Sequence, residues 1–175
     1  MFLKSIFRLK KDVVIGLGEI GVPLYKLLSK SFIVEGYDIN PKLIPKNLKK
    51  NELWPIRFLH ICIPYTKIFN SQILKLEKKF HPQGIVIHST IKPSTTSSIQ
   101  RKLQIPVIYS PTRGVHKRML KDLRRYSKFF AIENMAPNKK WACKELVKLL
   151  KKSGLKTKQI SSPITLELGK IVCDT

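Results

Sequence analysis

A short apolar strand, Val13-Val14-Ile15, runs directly into Gly16-Leu17-Gly18-Glu19-Ile20-Gly21, and a helical pattern follows with Val22, Leu24, Leu27 and Leu28 on one face. A GxGxxG alone is unspecific. Between a buried strand and the start of a helix it becomes a structural instruction. The first glycine permits the tight turn, the second lets a ligand approach the backbone, and the third lets the helix pack close to the strand. The helix then offers unpaired N–H groups and a positive dipole end to whatever lies over the loop, which suits a pyrophosphate.

Asp38 ends the second strand, Phe32 to Tyr37, at about the distance from the glycines expected of a ribose-binding acid. Its carboxylate would accept from the ribose hydroxyls and repel a 2′-phosphate, so NAD is favoured over NADP; Lys42 nearby tempers that preference. The same residue also suits a turn cap ahead of Asn40-Pro41.

The rest of the chain repeats the alternation. Strands are expected at Phe58–Ile63, Gly84–His88, Pro106–Tyr109, Phe129–Ile132 and Lys156–Ile160. Helices are expected at Thr66–Phe80, at Ser94–Leu103 with hydroxyl residues as caps, at His116–Tyr126, at Asn138–Lys152 and from Pro163 onward. Pro41–Asn51 reads as a polar link. Strands separated by helices imply crossovers and a mainly parallel sheet covered on both faces. The expected fold is therefore α/β, a Rossmann-type doubly wound sheet plus a carboxy-terminal helix. Residues 1–11 form a basic flank, 12–160 the NAD-binding domain, and 161–175 the start of a connecting helix, with no second domain in the chain.

Composition limits the alternatives. Hydrophobic residues make up 43% of 175, enough for a packed core, and no run is long enough to span a membrane. Cys62, Cys143 and Cys173 are odd in number and far apart, which points to reduced thiols in the cytoplasm and to no metal site. The formal net charge is +23, from 34 Lys+Arg against 11 Asp+Glu. Such a field attracts any polyanion, but scattered lysine pairs read more simply as solvated helix faces, so nucleic acid is an open and less favoured partner.

Several segments resemble the sugar-nucleotide dehydrogenases that oxidise UDP-glucose or GDP-mannose, and more broadly the 6-phosphogluconate and 3-hydroxyisobutyrate dehydrogenase superfamily. Val34–Pro41 is similar to their second-strand motif, and Ile61-Cys62-Ile63-Pro64 to a strand signature lining the cofactor site. Ser89-Thr90-Ile91-Lys92-Pro93-Ser94-Thr95-Thr96 resembles their Ser-Thr-Val-Pro-Pro-Gly-Thr-Thr segment, and Tyr109-Ser110-Pro111 the Ser-Pro-Glu step. The resemblance implies that Pro64, Ser89 and Thr90 border the cofactor. It also implies that Glu167 and Lys170 match a Glu-x-x-Lys whose lysine stabilises charge at the reacting carbon. Three features depart from the pattern: Asp174 stands where Asn is expected, Thr112 replaces the glutamate after Ser110-Pro111, and the family's nucleophilic cysteine belongs to a domain beyond Thr175.

The candidate cofactor residues are thus Gly16, Leu17, Gly18, Glu19, Ile20, Gly21, Asp38, Pro64, Ser89 and Thr90. The catalytic candidates are Lys170 and Thr90, and the candidates for an anionic substrate are Arg113 and His116. His60 and His88 read as core or strand-end residues, Trp141 as packing. Three functions stay open: a dehydrogenase oxidising an alcohol by hydride transfer to NAD, a non-catalytic NAD-binding sensor or scaffold, and a basic nucleic-acid-associated protein on a Rossmann fold. The apolar positions of the last helix imply a homo-oligomer.

Overall fold

The computed structural model describes residues 10–44, 54–114 and 116–174. Most of the basic flank and most of the Pro41–Asn51 link lie outside the described residues. Seven strands form one sheet: β1 (Lys11–Ile15), β2 (Val34–Tyr37), β3 (Ile56–Ile61), β4 (Gly84–Ile87), β5 (Val107–Tyr109), β6 (Lys128–Ile132) and β7 (Thr157–Gln159). Six helices connect or follow them: α1 (Gly21–Leu28), α2 (Phe69–Phe80), α3 (Thr95–Gln100), α4 (Met119–Arg125), α5 (Lys139–Lys152) and α6 (Pro163–Asp174).

The spatial order is β2-β1-β3-β4-β5-β6-β7. The chain leaves β1 toward β2, then crosses back to β3 on the other side of β1. The sheet's switch point therefore lies between the carboxyl ends of β1 and β3, where open α/β sheets bind ligands. All pairings are parallel except β5 with β6. Strand β6 starts beside the carboxyl end of β5 and runs against it, with Tyr109 opposite Ala131 and Ile108 opposite Ile132.

Strand alternation sorts the core into two layers. Val14, Phe58, Val86, Ile108 and Phe130 face α1, α4 and α5, packing on Leu24, Leu27, Leu123, Leu146 and Leu149. Val13, Ile15, Leu59, Ile61, Ile85 and Ile87 face the other way, onto Phe69 and Ile73 of α2, Ile99 of α3 and Leu166 of α6. Strands β3 and β4 are buried along their whole length, as a central parallel sheet requires.

At the amino ends of the strands, a buried ion pair ties β1 to β3. Arg57 donates to Asp12 through Nη2 at 2.6 Å and Nε at 3.1 Å, and the Phe58 amide donates to the same carboxylate at 3.1 Å. Arg57 also reaches Glu145 of α5 at 3.2 Å and lies against the Phe32 ring.

Helix α3 differs from its expected form. Ser94 makes no side-chain cap and sits in the left-handed region at φ 67°. The cap comes from α6 instead. Glu167, fully buried, accepts from the Ser94 amide at 2.6 Å, the Thr96 amide at 2.9 Å and the Thr96 hydroxyl at 2.6 Å. The hydroxyls of this segment serve other ends: Thr95 Oγ1 donates to the Lys92 carbonyl.

Candidate functional site

The glycine loop is shaped by what a side chain would strike. Gly16 has φ +87°, and a Cβ there would lie 2.9 Å from Ile63 and 3.0 Å from the Cys62 backbone. A Cβ on Gly21 would lie 1.7 Å from the Gly16 carbonyl oxygen, so the third glycine lets the helix close over the turn itself. Nothing of the protein lies within 4 Å of a Cβ built on Gly18. Only the middle glycine borders open space. Ile20 occupies the cap position of α1 and gives no side-chain bond, which leaves the helix end facing the space above the loop.

Asp38 caps the turn after β2 and also ties the glycine loop to it. One carboxylate oxygen accepts from the Leu17 amide at 2.7 Å, locking the glycine loop to the end of β2, and the other accepts from the Asn40 amide at 2.8 Å as a turn cap. Each oxygen retains a further lone pair, and Asp38 lines the cavity beside it.

That cavity, about 770 Å³, opens at the switch point. It brings together Gly16, Gly18, Glu19, Ile20, Asp38, Pro64, Ser89 and Thr90 from four separate strand ends. Leu17 and Gly21 do not line it. The Leu17 side chain is buried beneath Gly36 and the residue meets the site only through its amide. The walls include residues the sequence reading did not single out: Ile39, Leu43, Tyr65, Gln72, Lys75 and Leu76. Those from α2 come from a helix whose i, i+3, i+4 pattern marked its buried face but not its end nearest the site.

Lys170 lies outside the cavity lining, on α6, one turn past Glu167. The Glu167 bonds to Ser94 and Thr96 bring that helix against the segment that begins at Ser89. Arg113 is exposed and also stands apart from the cavity. Its guanidinium lies 5.1 Å from the Tyr126 ring centroid, beside a small cleft that it shares with Asp122 and Lys128. His116 opens a short turn, His116–Arg118, and its side chain lies outside the described residues. No group of three or more metal-ligating side chains occurs among the described residues.

Beneath the cavity, the sheet carries a buried polar chain. His88 Nδ1 lies 2.9 Å from the Ser110 carbonyl and His60 Nδ1 lies 2.9 Å from His88 Nε2, with the rings stacked. A carbonyl only accepts, so His88 carries its proton on Nδ1 and its Nε2 accepts from His60. His60 Nε2 is then a buried acceptor without a partner among the described residues. Burial lowers both histidines, His60 to about 4, so both are neutral near pH 7. Cys62, in the cavity wall, is pushed up to about 12 by burial, an inert thiol.

Lys128 completes this layer. Its ammonium donates to the Ser110 carbonyl at 2.8 Å, the Pro111 carbonyl at 3.0 Å and Thr112 Oγ1 at 3.1 Å. Burial lowers it to about 7. The sequence pattern began this strand at Phe129, one residue past the lysine that opens it in the structure. A second cleft, about 670 Å³ and lined by Lys10, Lys30, Arg57, Trp141 and Lys148, opens at the opposite, amino-terminal end of the strands.

No family model and no curated protein matches the sequence. Solved structures match it as a fold. A UDP-D-ManNAc dehydrogenase from Pyrococcus horikoshii superposes with TM-score 0.76 at 19% identity, over 94% of this chain and 50% of its own. A 3-hydroxyisobutyrate dehydrogenase from Salmonella typhimurium gives 0.67 at 14% identity, over 94% and 61%. A prephenate dehydrogenase from Aquifex aeolicus, solved with NAD⁺, gives 0.65 at 17%, over 91% and 62%. The chain has the Rossmann-type fold of these dehydrogenases. It spans about half the length of the first of them. No helix among the described residues is long and apolar enough to cross a membrane.

Proposed function

We propose that the chain binds NAD in the switch-point cavity and forms the cofactor-binding part of a dehydrogenase that oxidises an alcohol on an anionic, sugar-nucleotide-like substrate. The observation that carries this reading is the convergence of open Gly18, the uncapped end of α1 and the Asp38 carboxylate on one cavity of about 770 Å³. That volume is within the range of roughly 300–1,000 Å³ typical of ligand sites. The residues fit the group. Gly18 and the α1 amides would face the pyrophosphate, Asp38 the adenosine ribose, and Ser89 and Thr90 the nicotinamide end. When bound, NAD would accept the hydride.

The protein's own residues would supply the rest. Thr90 borders the reacting end of the cavity, and Lys170 would place an ammonium near a developing alkoxide once α6 is held by Glu167. Self-association through α6 belongs to the same reading. Ile164, Leu168 and Val172 stand exposed at four-residue spacing, one face of a helix. A wild-type dimer in ultracentrifugation that Leu168→Glu dissociates is expected, whereas a wild-type monomer at high concentration contradicts it. A cytoplasmic location rests on the free Cys62, Cys143 and Cys173.

The test is a calorimetric titration of NAD⁺, NADH and NADPH at moderate salt, with wild type and Asp38→Asn. Saturable NADH binding, weaker NADPH binding and a loss of about tenfold in Asp38→Asn are expected. Absence of saturable binding, or equal affinity in the variant, would overturn the reading.

A further inference from the structure

We propose that the basic cleft at the amino-terminal end of the strands binds a nucleoside monophosphate, separately from the dinucleotide cavity.

The cleft is a groove of about 670 Å³ between one face of α5 and the turn that joins α1 to β2. That volume suits a small molecule, for which sites of roughly 300–1,000 Å³ are typical. Trp141, Glu145 and Lys148 form one wall, at the spacing that puts them on one face of α5. The segment from Ser29 to Ile33 forms the other. The two walls are tied together, since the Ser31 hydroxyl donates to the Lys152 carbonyl at 3.1 Å. The Trp141 ring packs on Phe58 of the core, with centroids 5.4 Å apart. The Lys10 ammonium lies 5.6 Å from the Trp141 ring centroid and donates to Gln83 at 2.8 Å.

Arg57 sets this groove apart from an ordinary basic surface. It lines the cleft although only 5% of its surface is exposed. Its Nε and Nη2 donate to Asp12 and its Nη1 to Glu145, which uses three of the five N–H donors of a guanidinium. The other two have no acceptor among the described residues. Buried donors are normally satisfied, so these two call for an acceptor from outside the chain. A planar guanidinium matches the oxygens of a phosphate. Lys30 and Lys148 are exposed and make no hydrogen bond or ion pair among the described residues. Lysines near helix ends are ordinary by themselves; these two line the groove that already holds a buried cation. The lining sets Lys10, Lys30, Arg57 and Lys148 against one carboxylate, Glu145, and Asp12 beneath the guanidinium offsets one more charge. An excess of positive charge remains for an anion.

The walls narrow the class. Phe32, Ile33 and Trp141 offer apolar surface that free phosphate would leave unused. Glu145 is an acceptor, which suits sugar hydroxyls. A phosphate on Lys30, Lys148 and Arg57, a ribose beside Glu145 and a base along Phe32 and Trp141 satisfy every group. The site lies at the opposite end of the strands from the glycine loop and does not depend on NAD occupying the other cavity.

The experiment titrates UMP, uridine and inorganic phosphate into the isotopically labelled chain at moderate salt and follows amide chemical shifts. The proteins are wild type, Lys30→Glu/Lys148→Glu and Lys102→Glu/Lys121→Glu. The last pair is exposed, lies outside the cleft and changes the net charge by the same amount. In wild type UMP should give saturable shifts at residues 29–33 and 141–148. Its binding should weaken at least about tenfold in Lys30→Glu/Lys148→Glu and stay within about twofold in the other pair. Uridine and phosphate should each bind at least about tenfold more weakly than UMP. All four substitutions are at exposed positions, so folding should be retained and thermal melts check it; if a variant does not fold, the wild-type shift map decides. Equal weakening in the two variants would assign the binding to the overall charge. Shifts at the glycine loop would place UMP in the other cavity. Phosphate binding as tightly as UMP would remove the nucleoside, and absence of saturable binding would remove the site. Each of these results overturns the proposal, and none bears on the NADH titration that tests the cofactor site.

Discussion

Glu167 links the terminal helix to the segment bordering the cavity, and its removal has a calculable cost. In Glu167→Ala the Thr96 amide and hydroxyl, both buried, lose their acceptor, while the Ser94 amide is near enough to the surface to find water. Leaving buried polar groups unsatisfied costs about 1–3 kcal/mol. Loss of a charged cap at the end of α3 adds about 1 kcal/mol, and the vacated methylenes add about 1 kcal/mol more. The sum is on the order of 4 kcal/mol. In a domain of this size it corresponds to a fall in melting temperature of about 8–16 °C, at roughly 2–4 °C per kcal/mol. Glu167→Gln retains one carbonyl acceptor but turns an N–H₂ toward an amide donor, so about half the loss is expected. Hydrogen exchange should rise at Thr95–Ser98 and along α6, and stay unchanged at the glycine loop. The assay is thermal denaturation with exchange measured by mass spectrometry. A melting temperature within about 2 °C of wild type for Glu167→Ala, with α6 still protected, would show that the carboxylate does not hold the two helices together.

Gly18→Ala should leave the melting temperature unchanged, since its Cβ meets nothing, yet weaken NADH about tenfold by blocking close approach of the pyrophosphate; Gly21→Ala, with its Cβ 1.7 Å from a carbonyl oxygen, should instead lower the melting temperature sharply, and equal effects of the two would contradict the account. His60 titrates near 4 in the fold against 6.5 in the open chain, so the unfolded state binds more protons between those values and stability should fall as pH drops through that window. Chemical denaturation at pH 7 and pH 4.5 tests this, and His60→Leu should show a smaller fall. Lys128 titrates near 7 against 10.5, so its contribution should make stability rise with pH inside that window, at up to about 1.4 kcal/mol per pH unit, a slope that Lys128→Met should lack in the same denaturation series. Asp12→Asn should cost about 3–5 kcal/mol, because Arg57 is then a buried charge without its main partner; a loss under about 1 kcal/mol in urea denaturation would show that water reaches Arg57.

The fold was legible because its signals are local. Glycines between a strand and a helix, apolar runs of four to six residues and helical spacing between them leave few arrangements besides a doubly wound sheet. The antiparallel β6 was not legible, since a strand's direction in the sheet is set by which neighbour it pairs with and leaves no mark in the apolar run Phe129–Ile132 itself. The cavity's glycine and acid rim was visible in Gly16–Gly21 and Asp38 for the same local reason. What escaped was chemistry made by contacts between distant segments. Glu167 caps a helix some seventy positions earlier, and the hydroxyls beside that helix looked like sufficient caps by themselves. Lys128 resembled every other lysine of a chain with 34 Lys+Arg until β6 placed it under Ser110. Arg113 looked well placed at a strand end, but its loop turns it onto Tyr126.

The central claim is that a dinucleotide occupies the switch-point cavity. Titration of NADH into isotopically labelled protein, followed by amide chemical shifts, tests it most directly. The account predicts saturable shifts concentrated at Gly16–Gly21, Asp38 and Ser89–Thr90. Shifts confined to the basic cleft around Lys30 and Lys148, or spread over the lysine-rich surface and abolished by salt, would contradict it and make the charge of this protein its main functional feature.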